Sequence, residues 1–484
     1  MRLVCFAVVV YAGVAFGDGL SVDFSKGIGK IRRELHASSF GGQLVGVSMD
    51  AVRDMVVPLG LSAARTHDWA LVNPGQRICD THFLFPLPGK DPADPSNYYF
   101  APTDEIIDMT IQQLGMNVFY RLGTSIESVN ARRKGDANPR YYNSVEPEDW
   151  TNHVAVLEHI IRHYTEGWNR GFFHQDKMRY WELWNEPNDR PGGSWIVRDQ
   201  NPDRETNYRR FFDFYAFTLN HLKKRFPQLK FGGPAMCYLD EPFLRGLLTR
   251  CKEVGYAPDF ISWHHYWYEP ELILSQPAKA RAICDEYGFT RTELIINEWH
   301  YIPYEEVWDD FGKEPETFAK IIHSTTGLGG IDSAVFALQV LTGLQTTCLD
   351  QAYYYGIKYD KGSNWGFVKA DGSLGKTYYG LKMFARAIDK CGMIVASSSH
   401  NGVRVFGTRS VSGNKLALIV SAFKGGPSEV EVRIAGLPDG ARISTFVLDD
   451  AHDLQEVQTR FENDVIHFDK ADDRSAAWYV EVTR

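Results

Sequence analysis

Trp181-Glu182-Leu183-Trp184-Asn185-Glu186-Pro187-Asn188 begins as a short apolar strand and ends in an amide, a carboxylate and a proline. With the two-residue period of a strand, Glu182, Trp184 and Glu186 share one face, and Pro187 stops the ladder and turns the chain outward. A second string, Leu294-Ile295-Ile296-Asn297-Glu298-Trp299, has the same build. Its uninterrupted apolar run reads as a strand buried on both faces, and it too closes on a glutamate. Buried strands that each deliver a polar side chain at the C-terminal end are the building blocks of a parallel barrel.

From about residue 38 to 390, short apolar or β-branched runs alternate with longer amphipathic stretches, the pattern of repeated βα units. Eight strands are expected: Ser39 to Val45, Leu61 to His67, Asn117 to Leu122, Arg179 to Trp184, Lys230 to Pro234, Asp259 to His264, Glu293 to Trp299 and Asp332 to Leu338. Helical spacing marks Asp104 to Leu114, Trp150 to Tyr164, Tyr208 to Phe226 and Pro315 to Thr326. Eight repeats predict an α/β fold, a (β/α)8 TIM barrel, with His67, Glu186, His264 and Glu298 at or just past strand ends. A doubly wound sheet would call for a Gly-rich phosphate turn, and the chain has none.

After Cys391 the texture changes to short alternating strands divided by Gly, Pro, Asp and Asn, from Val403 to Gly407 through Ala476 to Val482. These predict a C-terminal antiparallel β-sandwich over 391–484, with 18–37 offering an N-terminal strand to it.

Met1-Arg2, an apolar stretch from Leu3 to Phe16, and Ala15-Phe16-Gly17 have the order of a secretory signal peptide, 1–17. The stretch is short for a membrane span, which takes roughly 20 apolar residues. The expectation is therefore an exported protein, extracellular, periplasmic or lysosome-like, with no membrane attachment once the leader is removed. The net charge of −9 argues against nucleic acid as a partner. Six cysteines follow Cys5, a number that permits disulfides without pairing them, and none has a zinc-ligand spacing.

The two glutamate strings carry the chemistry. A lone glutamate after a strand is usually a loop cap or half of an ion pair. In Trp-Asn-Glu-Pro-Asn, the aromatic surface offers partial desolvation, which raises a carboxyl pKa and suits Glu186 to donate a proton. Glu298 leaves a buried strand, where a carboxylate has to be paired or functional, and hydrogen bonds from neighbours such as Tyr266 would keep it ionised. One acid kept protonated and one carboxylate kept charged is the division of labour that glycoside hydrolysis needs.

Asn-Glu-Pro after a fourth strand and a glutamate ending a seventh give the chain its resemblance to the clan A retaining glycoside hydrolases, and within them to glycoside hydrolase family 39. Supporting strings are Ala64-Arg65-Thr66-His67, Phe231-Gly232-Gly233-Pro234-Ala235, Asp259-Phe260-Ile261-Ser262-Trp263-His264-His265-Tyr266 and Gly366-Phe367-Val368-Lys369-Ala370-Asp371-Gly372. That family contains β-xylosidases and α-L-iduronidases. The resemblance implies that Glu186 is the acid/base, Glu298 the nucleophile and Asn185 the partner of the sugar 2-hydroxyl. It further implies that His67 and His264 contact substrate hydroxyls, that Tyr266 holds Glu298 and that Arg65 lies beneath them. His265 reads as structural. Many clan members stack the sugar on a Trp of the eighth strand, but Asp332 to Gln339 has none. Phe336 or Gln339 takes another role, or Trp365 swings in to cover the sugar, and Tyr353-Tyr354-Tyr355 are further pocket or loop-core candidates.

These readings imply a secreted retaining glycosidase of the exo-acting β-xylosidase type, with a carbohydrate substrate, no metal and no organic cofactor. The alternatives are an endo-glycanase or uronidase of the same clan, a transglycosylase, and a non-hydrolytic carbohydrate-binding protein. The presence of both glutamates disfavours the last.

Overall fold

The computed structural model describes residues 19–39, 48–66, 78–123, 125–126, 145–188, 195, 197, 203–303, 327, 329–357, 368–369, 372–400, 402–471 and 473–483. His67, Trp365, the predicted helix Pro315 to Thr326 and the expected signal peptide 1–17 lie outside these residues. The chain divides into two compact units: Arg32–Arg386, and the segment up to Ile31 together with Ala387–Arg484.

The first unit is a closed barrel of eight strands, β2 (Ala37–Ser38), β3 (Ala63–Arg65), β4 (Asn117–Arg121), β5 (Tyr180–Glu182), β6 (Lys230–Met236), β7 (Phe260–Trp267), β8 (Glu293–Tyr301) and β9 (Gln351–Tyr354), in that order. Every neighbouring pair is parallel, and β9 closes on β2 through Ala37 opposite Tyr353. Ala37, Ala63, Phe119, Phe260, Ile295 and Tyr353 fill the interior as one buried apolar layer, so the barrel is a packed core rather than a pore.

Two of the expected strands need correction. The first strand is Ala37–Ser38 rather than Ser39 to Val45; Ser39 follows it, and 40–47 fall outside the described residues. The run Asp332 to Leu338 is not the eighth strand but part of a helix, Ile331–Leu344, all fourteen residues of which are buried. A helix buried on every side loses the polar stripe that betrays its period, and over seven residues it reads like a buried strand. The true eighth strand is the four-residue Gln351–Tyr354. Phe336 and Gln339 thus belong to a buried helix, with Phe336 against Tyr301, ring centroids 5.4 Å apart.

The second unit is a ten-stranded sheet built from both ends of the described chain. β1 (Ser21–Lys30) lies between β10 (Met393–Ser398), to which it is antiparallel, and β13 (Glu429–Ala435), to which it is parallel. The remaining strands are β11 (Val403–Arg409), β12 (Lys415–Ala422), β14 (Arg442–Leu448), β15 (Asp453–Val457), β16 (Arg460–Glu462), β17 (Val465–Asp469) and β18 (Ala476–Thr483), all paired antiparallel. Phe468 of β17 and Trp478 of β18 lie far apart in strand order, yet their rings are 5.2 Å apart. The sheet therefore folds over on itself as a sandwich does, around a core that includes Val22, Phe24, Leu418, Val432, Phe468 and Trp478. A (β/α)8 barrel with an antiparallel-rich sheet is the predicted fold class.

Among the described cysteines, Cys79, Cys251 and Cys284 are buried free thiols and Cys348 is an exposed one. Among the described residues no helix is long and apolar enough to cross a membrane.

Candidate active site

Arg65, Glu182, Asn185, Glu186, His264, Tyr266 and Glu298 meet at the C-terminal ends of β3, β5, β7 and β8. Arg65 ends β3 with no exposed surface. Its Nη1 donates to Glu298 Oε1 at 2.6 Å, its Nε to Glu182 Oε2 at 2.8 Å and its Nη2 to Asn185 Oδ1 at 3.0 Å. Burial alone would lower the guanidinium's pKa; the charges of Glu182 and Glu298, and the hydrogen bonds to them, overcome it and hold Arg65 above its ordinary range. Arg65 is therefore a fixed cation beneath the two carboxylates.

Glu298 receives a second strong donor, the Tyr266 hydroxyl, at 2.6 Å from Oε2. Burial and then the charge of Glu298 push the Tyr266 phenol well above its ordinary value, so the phenol keeps its proton and donates it. Hydrogen bonds to a charged acceptor are the strong ones, and Glu298 has two at 2.6 Å with only 4% of its side chain exposed.

Glu186 stands differently. Its side chain is 27% exposed, and His264 Nδ1 lies 2.9 Å from its Oε1. The other nitrogen of the same wholly buried imidazole lies 3.3 Å from Glu298 Oε1, without hydrogen-bond geometry. One ring thus lies between the two carboxyl groups and bonds to the acid/base candidate.

The backbone around Glu186 departs from the strand expected there. β5 ends at Glu182, and Trp184 (φ 74°) and Glu186 (φ 49°) are in the left-handed region, which costs side-chain-bearing residues of order 1–3 kcal/mol. Trp184 consequently does not share a face with Glu186. Its ring packs on Trp195 at 5.0 Å and on Phe214 of the helix Arg204–Arg225 at 5.6 Å. The Glu186 N–H donates to Ala235 O at 2.8 Å, fixing the turn. Gly233 makes room for it: its φ is +127°, and a Cβ there would sit 2.8 Å from Leu183 O.

His265 faces Gln276 Nε2 through its Nδ1 at 2.6 Å, and burial pushes its pKa down to about 4. At the end of the eighth strand, Tyr353 belongs to the barrel core, Tyr354 reaches His300 Nε2 at 2.6 Å, and Tyr355 meets Tyr266 edge-on with centroids 5.9 Å apart. The sequence reading assigned no role to Glu182, Ser262 or Asn297, which tie this site together; their signal was adjacency, since each lies within four residues of a candidate site residue.

Residues 80–312 match the family model "Glycosyl hydrolases family 39". A curated β-xylosidase of Geobacillus stearothermophilus is 26% identical over 236 residues, covering 44% of this chain and 43% of that protein. The chain thus matches less than half the length of that relative. Among solved structures, a glucosidase from Croceicoccus marinus superposes with TM-score 0.71 at 21% identity, covering 96% of this chain and 99% of that one. A family 51 α-L-arabinofuranosidase from Bifidobacterium longum gives TM-score 0.62 at 12% identity, with coverage of 96% and 99%. At these identities the structural likeness speaks for the fold alone. The resemblance to glycoside hydrolase family 39 carried by the motifs is thereby borne out over residues 80–312.

Proposed function

We propose that this chain is an exported retaining glycosidase, exo-acting in the manner of a β-xylosidase, that hydrolyses O-glycosidic bonds by double displacement. The observation that carries the reading is the asymmetry of the two carboxyl groups. Glu298 is buried and held by Arg65 and Tyr266, which favours the ionised form a nucleophile needs. Glu186 is more exposed and bonds to an imidazole rather than to a guanidinium, which leaves it free to exchange a proton.

In this mechanism Glu186 protonates the leaving oxygen while Glu298 attacks the anomeric carbon. Water then releases the sugar as Glu186 takes up its proton. Asn185 accepts from Arg65 through its Oδ1, which directs its NH2 group to a sugar hydroxyl. Tyr355, beside Tyr266, supplies an aromatic surface where the sequence reading looked for a Trp. The β-xylosidase relative makes a terminal xylose the first sugar to try.

A panel of aryl glycosides (xyloside, glucoside, galactoside, arabinoside, iduronide and glucuronide) tests the substrate, and NMR of the first-formed product tests the stereochemistry. Turnover of one neutral glycoside with retention is expected. Inversion would remove Glu298 as a nucleophile, and no turnover of any glycoside or oligosaccharide would remove the function. Export is tested by sequencing the N-terminus of the secreted protein, expected near residue 18.

A further inference from the structure

Beneath the proposed catalytic pair lies a third carboxylate. Glu182, wholly buried at the end of β5, has a full set of donors. Its Oε2 takes Arg65 Nε at 2.8 Å and Nη2 at 2.6 Å, and its Oε1 takes Ser262 Oγ at 2.6 Å and Asn297 Nδ2 at 2.7 Å.

Asn297 is the residue at which β8 breaks step with β7. Trp263 pairs with Ile296, but His264 pairs with Glu298, so Asn297 is the extra residue of a bulge. In a regular strand, neighbours 297 and 298 would face opposite sides. A bulge re-aims a side chain, and here both turn inward, Asn297 to Glu182 and Glu298 to Arg65. The Asn297 carbonyl is held in turn by Ser39 Oγ at 3.1 Å.

Ser262 extends the same carboxylate toward Glu186. While donating to Glu182, its Oγ accepts the N–H of Ala235 at 2.9 Å, and the Ala235 carbonyl accepts the N–H of Glu186 at 2.8 Å. A single buried group thus braces the bulge that aims Glu298 and the backbone that carries Glu186. It also divides the charge of Arg65 with Glu298.

We infer that Glu182 is a positioning residue for glycoside cleavage: it fixes where the two glutamates stand and, by sharing Arg65, limits how tightly that cation holds the charge of Glu298. This rests on the reading of Glu186 and Glu298 as acid/base and nucleophile. The charged and titratable groups around Glu298 among the described residues include Arg65 from β3 and His264 and Tyr266 from β7, with Glu186 across His264 and Glu182 across Arg65. Removing the charge of Glu182 leaves Arg65 to Glu298 alone, so Glu298 stays ionised to lower pH.

The test is the pH profile of kcat/KM for two variants on the best aryl glycoside. Glu182→Gln is expected to lower kcat on the order of 100-fold, as slight misplacement does, with KM within about 3-fold, and to move the acid limb down by about one pH unit. Glu182→Asp keeps the charge but withdraws it by one methylene. It should lose kcat similarly while its acid limb stays at the wild-type position. An unmoved acid limb in Glu182→Gln, or wild-type kcat per folded molecule in either variant, overturns the proposal. Should neither variant fold, Asn297→Ala cuts only the link to the bulge. It should lower kcat about 30-fold with the limb unmoved, and a wild-type kcat there is equally fatal. Glu298→Gln run alongside separates the two ideas. Activity retained in that variant breaks the nucleophile assignment, whereas an inactive Glu298→Gln beside an unmoved limb in Glu182→Gln breaks only the role of Glu182.

Discussion

The pair β12 and β18 and the pair β7 and β8 both run through eight residue partners, but they spend them differently. From Lys415 opposite Thr483 to Ala422 opposite Ala476 the first pair keeps perfect step, and its inward residues, among them Leu418, Val420, Trp478 and Val480, are all apolar. The second pair loses step at Asn297, and beside the break it presents Ser262, His264, Tyr266 and Glu298 to a buried guanidinium and two more glutamates. The regular ladder gains its stability from area removed from water. The irregular one buries charges whose desolvation is barely repaid by their pairing. Order is spent on stability in one place and on geometry in the other.

The sharpest way to break that contrast is Glu298→Gln, which keeps the shape of the bulge and removes its charge. A loss of kcat/KM of about 10⁴-fold or more is expected, with Glu186→Gln losing about 10²–10⁴-fold and less on substrates with good leaving groups. Steady-state kinetics on two aryl glycosides of different leaving-group pKa measure both. Next comes Trp478→Ala in the regular pair, expected to cost about 3–5 kcal/mol of stability in a denaturant titration. The kcat/KM of the molecules that remain folded should not change, and a parallel loss of turnover would show that the ladder shapes the site as well.

Tyr266→Phe sharpens the contrast on the barrel side by deleting one hydroxyl at 2.6 Å from Glu298. A hydrogen bond to a charged group is worth about 1.5–3 kcal/mol, so kcat/KM should fall about 10–100-fold, and the melting temperature should fall as well because the folded state loses the same bond. The smallest step concerns acid. Burial pushes His300 down to about 4 from an ordinary 6.5, so the folded protein refuses a proton that the unfolded chain accepts. The stability contributed is complete above pH 6.5 and is lost as pH falls toward 4, at about 1.4 kcal/mol per pH unit. In His300→Gln the fall in melting temperature across that window should flatten; an unchanged slope would mean that His300 titrates normally.

The sequence exposed what announces itself by contrast. Glu186 and Glu298 stand out because each ends an apolar run, and β13 is readable because Val430, Val432 and Ile434 alternate with charged residues. The helix Ile331–Leu344 was misread for the opposite reason, since every residue on it is buried and nothing alternates. Gln351–Tyr354, four residues long, was too short to register as a strand. The bulge at Asn297 leaves no compositional mark, and neither does the left-handed turn at Trp184, so Glu182 looked like one more strand residue and Trp184 like a wall of the pocket. Tertiary pairing alone decides such features.

The sheet's strand order carries a consequence for how the molecule is made. Ser21 of β1 bonds to Ser398, 377 residues later, and β1 lies between β10 and β13. On a ribosome adding about 5–20 residues each second, that first strand emerges tens of seconds before either neighbour exists. It must wait unpaired, with Val22 and Phe24 exposed, while the whole barrel is translated. Contacts between such distant segments form slowly. The Asp23, Ser25 and Lys26 side chains and the glycines at 27 and 29 interrupt what would otherwise be a sticky edge, a useful property for a strand that spends its early life alone.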